Sequence, residues 1–168
     1  MTTRNATFIR LAVSTALVST ALAGCSGNVA PSAARSVGKA EVALAKGKSD
    51  KAVTHAEAAV LATPRDPYVR TLLGNAYLEA GRFSSAAQSF QDAIDLGDTS
   101  PRTAVSLSLA LTGMGDRAAA IYALEKNEPA IDPADFGLAI ALAGQPQRGV
   151  TVLSNTLRAG NNTAKVRQ

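Results

Sequence analysis

The chain is poor in the residue types from which chemical sites are built. It has one cysteine, Cys25, one histidine, His55, and no tryptophan; aromatic residues make up 4% and charged residues 18% of 168 positions. A single cysteine excludes a disulfide scaffold. A lone histidine, with no second His, Cys or carboxylate cluster at ligand spacing, argues against a metal site. Carboxylates occur singly, so no paired acid and base stands out. Gly113-Met114-Gly115 lacks both a preceding strand and the rest of a phosphate-binding pattern. The net charge of +4 is too small to argue for nucleic acid. These absences point away from an enzyme and from a bound cofactor. A hydrophobic share of 46% and the lack of long charge blocks exclude a disordered chain. What the chain does have is alanine, at one position in five. Alanine is the strongest helix former, and its small side chain lets helices pack at close range.

The N-terminus stands apart. Arg4 and Arg10 precede Leu11 to Ala23, a run without charge. That run is short of the roughly 20 residues a membrane-spanning helix needs, and it fits the core of a signal segment. It ends in Leu22-Ala23-Gly24-Cys25, which resembles the lipobox of bacterial lipoproteins. The resemblance implies cleavage after residue 24 and acylation of Cys25, with several acyl chains giving stable membrane attachment. Ser26 after the cysteine implies, by the same resemblance, an outer-membrane destination facing the periplasm. Residues 1–24 are therefore expected to be a leader and 25–32 a lipidated tether. Without the leader the bases number 15 against 13 acids, a net charge of +2.

The remaining sequence repeats. Gly47, Gly81 and Gly115 are evenly spaced, thirty-four positions apart, and so are Ala52, Ala86 and Ala120; Ala59 and Ala93 keep the same interval. Residues 67–100 carry Leu73, Gly74, Tyr77, Gly81, Phe83, Ala86, Phe90 and Ala93. This pattern resembles the tetratricopeptide repeat (TPR), a helix-turn-helix unit of that same length. Arg70 stands where the family has Trp, and Asp98 where it has Pro. The fold class expected is all-α, a TPR-like α-solenoid of about four units: 33–66, 67–100, 101–129 and 130–163. First helices are expected near 33–46, 67–80, 101–114 and 133–143, and second helices near 49–63, 83–96, 116–127 and 146–159. The turn glycine Gly144 follows Gly115 too soon, by five positions, so one connection is shortened, and Pro129 cuts the second helix of unit three short. Gly47, Gly81, Gly115 and Gly144 should end first helices in a left-handed conformation. Asp116 and Asp132 read as helix caps, and Gly74 and Ala86 as small residues at a helix crossing. Residues 164–168 look like the first turn of a truncated fifth unit or else a polar tail, and Val152, Leu153 and Leu157 have no obvious cover.

The resemblance also places a binding face on the first helices. It implies groove residues Tyr68, Thr71, Leu72 and Asn75 in unit two, with Leu78 further along; Arg102, Val105 and Leu109 in unit three, with Ser106 and Thr112; and Leu138 in unit four, with Ala134, Asp135 and Ala141. Some family members clamp a peptide carboxylate with Lys, Asn and Arg at such positions. Asn75 matches one of these, but Val105 and Leu109 replace the basic partners. The groove is thus expected to be apolar with a polar fringe and to take an amphipathic protein or peptide segment. The chain is similar to repeat-containing lipoproteins of Flp/Tad pilus assembly. That implies a membrane-attached interaction scaffold for a pilus or secretion machine, or else an adaptor in cell-wall or outer-membrane biogenesis.

Overall fold

A computed structural model describes residues 31–166; the expected leader, Cys25, residues 26–30 and residues 167–168 lie outside the described residues. Eight α-helices follow one another there: α1 Pro31–Ala45, α2 Ser49–Ala62, α3 Pro67–Glu79, α4 Phe83–Asp95, α5 Pro101–Gly113, α6 Arg117–Asn127, α7 Pro133–Leu142 and α8 Pro146–Val166. A 3-10 turn, Glu128–Ala130, joins α6 to α7. Among the described residues there is no strand.

Local chemistry sets the helix ends. Proline opens α3, α5 and α7, where its missing N–H costs nothing. The Asp66 carboxylate accepts from the Tyr68 and Val69 N–H groups, Asp116 from Ala119, and Asp132 from Ala134. All four expected turn glycines have positive φ. A fifth, Gly97 (φ 102°), was not anticipated. It ends α4: its N–H donates to the Ile94 carbonyl and the Asp98 N–H to the Ala93 carbonyl, which satisfies two carbonyls left open at the helix end.

Helices pair within units, α1 with α2 through α7 with α8, and each unit stacks on the next. First helices also touch one another, α1 to α3, α3 to α5 and α5 to α7. No comparable contact joins α2 to α4 or α4 to α6 among the described residues. The first helices therefore form the tighter, inner layer and the second helices a splayed outer one. The buried residues fall into three clusters along the stack, one over α1–α3, one over α4–α6 and one over α5–α7.

Within a unit, one position on the first helix faces one on the second at a constant sequence separation. A Cβ on Gly74 would lie 2.6 Å from the Phe90 ring, and one on Gly137 2.9 Å from Leu153 Cγ. The Ala40–Ala56 and Ser108–Leu124 pairs have the same separation, and all four residues are fully buried. The expected partner of Gly74 was Ala86, which is buried too, but the ring of Phe90 takes the space glycine leaves. Burial of that ring contributes about 2–3 kcal/mol, against a helix penalty of roughly 1 kcal/mol for glycine over alanine, so the exchange favours glycine.

Four expectations need correction. Helix α1 starts at Pro31, so residues 31 and 32, expected in the tether, are helical, and the unit expected from 33 begins two residues earlier. Residues 164–166 do not open a fifth unit but continue α8, since no proline after Pro146 interrupts it. Val152 and Leu153 are not uncovered: Val152 packs against the third cluster and Leu153 against Gly137, while Leu157 is 70% exposed. The connection before α7 is not shortened: residues 128–132 separate α6 from α7 just as 96–100 separate α4 from α5, and the five positions are missing from the helices, 11 residues in α6 and 10 in α7 against 13 each in α4 and α5. These shorter helices leave α6 and α7 in thinner contact than α2 with α3 or α4 with α5. Ile131, buried beside Phe136 and Leu124, plugs that junction.

Candidate functional site

A cavity of about 640 Å³ opens on the inner layer between α3 and α5. Tyr68, Thr71 and Asn75 on α3 face Arg102, Thr103 and Ser106 on α5 across it, and residues 97–100 close one end. Asp98 organises that end. Gly97 turns the chain so that the Asp98 side chain points back between the helices. Its Oδ2 accepts from the Thr71 hydroxyl at 2.8 Å and the Thr103 hydroxyl at 2.7 Å, and its Oδ1 accepts from the Ser100 N–H at 2.8 Å. One carboxylate thus ties unit two to unit three and fixes the turn that leads into α5. Burial opposes its ionisation, but bonds from Thr103, the Ser100 N–H and Thr71 outweigh burial and hold the carboxyl below its usual 3.8. The departure from the family pattern at this position therefore has a structural role of its own.

Arg70, the other departure, also reaches between elements. Its guanidinium donates to Asp92 Oδ2 at 3.0 Å and, through two nitrogens, to the Pro64 carbonyl at 3.2 and 3.1 Å. It fixes α3 to α4 and to the preceding turn by charge-assisted bonds where the family buries an indole.

Four of the eight principal groove residues come together: Tyr68, Thr71, Asn75 and Arg102 line this cavity. The Tyr68 hydroxyl donates to Glu41 on α1. That bond, then burial, raise the Tyr68 pKa. Leu72 is not a groove residue. It is 5% exposed and lies with Leu73 and Ala76 in the cluster that α3 forms with α1 and α2. Val105 is half-buried and packs against the α5–α7 cluster. Leu109 is half-buried and Leu138 is 56% exposed, and neither reaches this cavity. The residues lining the cavity carry hydroxyls, an amide, a guanidinium and the Asp98 carboxylate, with no Leu, Val or Ile among them; Leu72 and Leu73 of α3 and Leu107 of α5 are buried in the stack instead.

Asn75, Arg102 and Ser106 make no side-chain hydrogen bond within the described residues. They present an amide, a guanidinium and a hydroxyl, a set able to pair with peptide groups and a carboxylate. The outer layer holds a second cavity, about 610 Å³, between α4 and α6 over Leu107 and Leu111 of α5. Exposed Met114 and Tyr122 flank it. Their apolar character on a helix surface was the available signal for it. Among the described residues no group of three His, Cys, Asp or Glu side chains could hold a metal ion, and no helix is long and apolar enough to cross a membrane.

No curated protein matches the chain. Residues 37–101, from α1 to the start of α5, match the family model of the tetratricopeptide repeat. With paired helices stacked in chain order and left-handed glycines at the unit turns, the chain is an all-α TPR-like solenoid that carries the tetratricopeptide pattern over those residues, a framework suited to binding proteins or peptides.

Proposed function

We propose that this chain is a membrane-attached interaction scaffold whose inner layer takes an extended segment of a partner protein. The observation that carries the reading is the cavity between α3 and α5. There Asn75, Arg102 and Ser106 stand unpaired beside a rigid Asp98–Thr71–Thr103 network. Unpaired donors and acceptors beside a fixed frame suit a peptide backbone, because they can bond to it without first breaking a bond within the chain. Leu22-Ala23-Gly24-Cys25 supports acylation of Cys25, hence residence at a bacterial envelope membrane with the solenoid in the periplasm. A pilus or secretion machine at the outer membrane is the setting we propose, on the resemblance of the sequence to repeat-containing pilus-assembly lipoproteins alone.

Two measurements test this. Metabolic labelling with an azido fatty acid should tag the wild-type chain and not Cys25→Ala; equal labelling of both would remove the anchor. A photo-crosslinking residue at Asn75 should capture a partner in intact cells, and adding Arg102→Glu should reduce the yield severalfold. Capture from position 122 instead of 75 would move the site to the outer cavity.

A further inference from the structure

Basic charge is concentrated at one end of the solenoid. Residues 31–62 carry five bases against three acids, whereas residues 63–168 carry ten of each. The three acids, moreover, all turn toward the second unit. Glu41 accepts from the Tyr68 hydroxyl, Glu57 from the Tyr77 hydroxyl at 2.7 Å, and Asp50 pairs with Arg82 at 3.4 Å. The bases lie elsewhere. Arg35, Lys39 and Lys46 recur at helical spacing along α1 and just past its end, and Lys48 and Lys51 follow at the start of α2. All five line one shallow concavity, about 460 Å³, together with His55 and with Val42, which is 52% exposed in its middle. None of the five forms an ion pair among the described residues. Gly38, with open space where a Cβ would project, leaves the floor accessible.

We infer that this α1–α2 face lies against an anionic lipid surface and sets the orientation of the solenoid on the membrane. The inference rests on the proposed acylation of Cys25 for its geometry. Six residue steps separate Cys25 from Pro31, a reach of at most about 20 Å, so α1 and α2 are the helices that an acyl anchor holds nearest the headgroups. Five unpaired cations around an exposed valine match the chemistry of such a surface: phosphate charge outside, acyl boundary beneath. The face opposite, with its acids satisfied by unit two, leaves the rest of the inner layer directed away from the lipid and open to a partner.

The test uses the full chain as processed in a bacterial host, carrying Val42→Cys and a thiol-reactive fluorophore at position 42. It is reconstituted into vesicles that contain a headgroup spin-labelled phosphatidylcholine as quencher. Vesicles of phosphatidylglycerol and phosphatidylcholine should quench the fluorophore severalfold more than vesicles of phosphatidylcholine alone, and salt at about 1 M should remove the difference. Lys39→Glu, Lys46→Glu and Lys51→Glu together should return quenching to the phosphatidylcholine level. All three residues are exposed, so folding should persist; the corresponding Gln variants, checked by circular dichroism, separate charge from structure. Equal quenching in the two vesicle types, or quenching unchanged by the substitutions, overturns the inference. Label stoichiometry reads the anchor separately. One label per chain means Cys25 is blocked, and two mean that its thiol is free and the acylation proposal fails. Where two labels attach, the quenching is read on Val42→Cys in a Cys25→Ala background, so that the fluorophore at position 42 alone decides the basic face.

Discussion

Gly74 and Phe90 meet so closely that a methyl group on Gly74 would lie 2.6 Å from the ring. Adding it, Gly74→Ala, gains roughly 1 kcal/mol of helix propensity but forces α3 and α4 apart or the ring off its rotamer, at about 1–3 kcal/mol. The variant should be destabilised, and Gly74→Leu far more so. Phe90→Leu in the Gly74→Ala background should recover part of the loss, since Leu153 already sits opposite Gly137 in the fourth unit. Thermal denaturation of the two single variants and the double variant measures the coupling; strict additivity would refute the contact.

Asp98 predicts a pH dependence. Its folded pKa lies below the unfolded value near 3.8. The stabilisation it supplies is therefore fully present above about pH 4. It is lost as pH falls through the lowered folded value. Asp98→Asn should cost about 1–2 kcal/mol at pH 7, where charge-assisted bonds are lost. The gap between wild type and variant should close on acidification below 3.8. Urea denaturation at pH 7 and pH 3 checks this; a constant gap would mean that the carboxylate charge contributes nothing.

Ser108 is fully buried, and its hydroxyl finds no partner among the described residues. Ser108→Ala removes a buried polar atom without opening space that water can use. Stability should rise by up to about 1 kcal/mol or stay level. A loss of more than about 1 kcal/mol, read from the melting temperature, would show that the hydroxyl is satisfied after all.

Leu72 and Leu138 separate packing from surface. Leu72→Lys places a charge in the α1–α3 cluster and should cost more than about 3 kcal/mol. Leu138→Lys, on an exposed position of α7, should change stability by less than about 0.5 kcal/mol. Circular dichroism melts of the two variants give the comparison directly.

Much of this architecture was readable in the sequence. Glycines and alanines at one constant interval located the unit turns and helix crossings because those positions are constrained by backbone geometry, which residue type reports faithfully. The groove was less legible. Position within the repeat marked Tyr68, Thr71, Asn75 and Arg102 but also Leu72 and Val105, since neighbouring positions on a helix differ by about 100° and spacing alone does not say which of two leucines the stack consumes. Asp98 was visible only as a missing proline; its three bonds depend on Thr71, Thr103 and the left-handed turn at Gly97 meeting in space. The basic end face was hidden for a similar reason. The bases of α1 and α2 are obvious in the sequence, but that the acids between them turn to Tyr68, Tyr77 and Arg82 of the second unit shows only in the fold.

The division of the core into three successive clusters has a kinetic consequence. They run from Ala40 to Ala76, from Ala86 to Ala123 and from Ala104 to Ala143, so no cluster joins distant parts of the chain. Each can form after closing only short loops, and the entropy of bringing remote segments together is never charged against a single event. Refolding should be fast, in the microsecond to millisecond range of helical proteins with local contacts. It can start at any unit and spread to its neighbours.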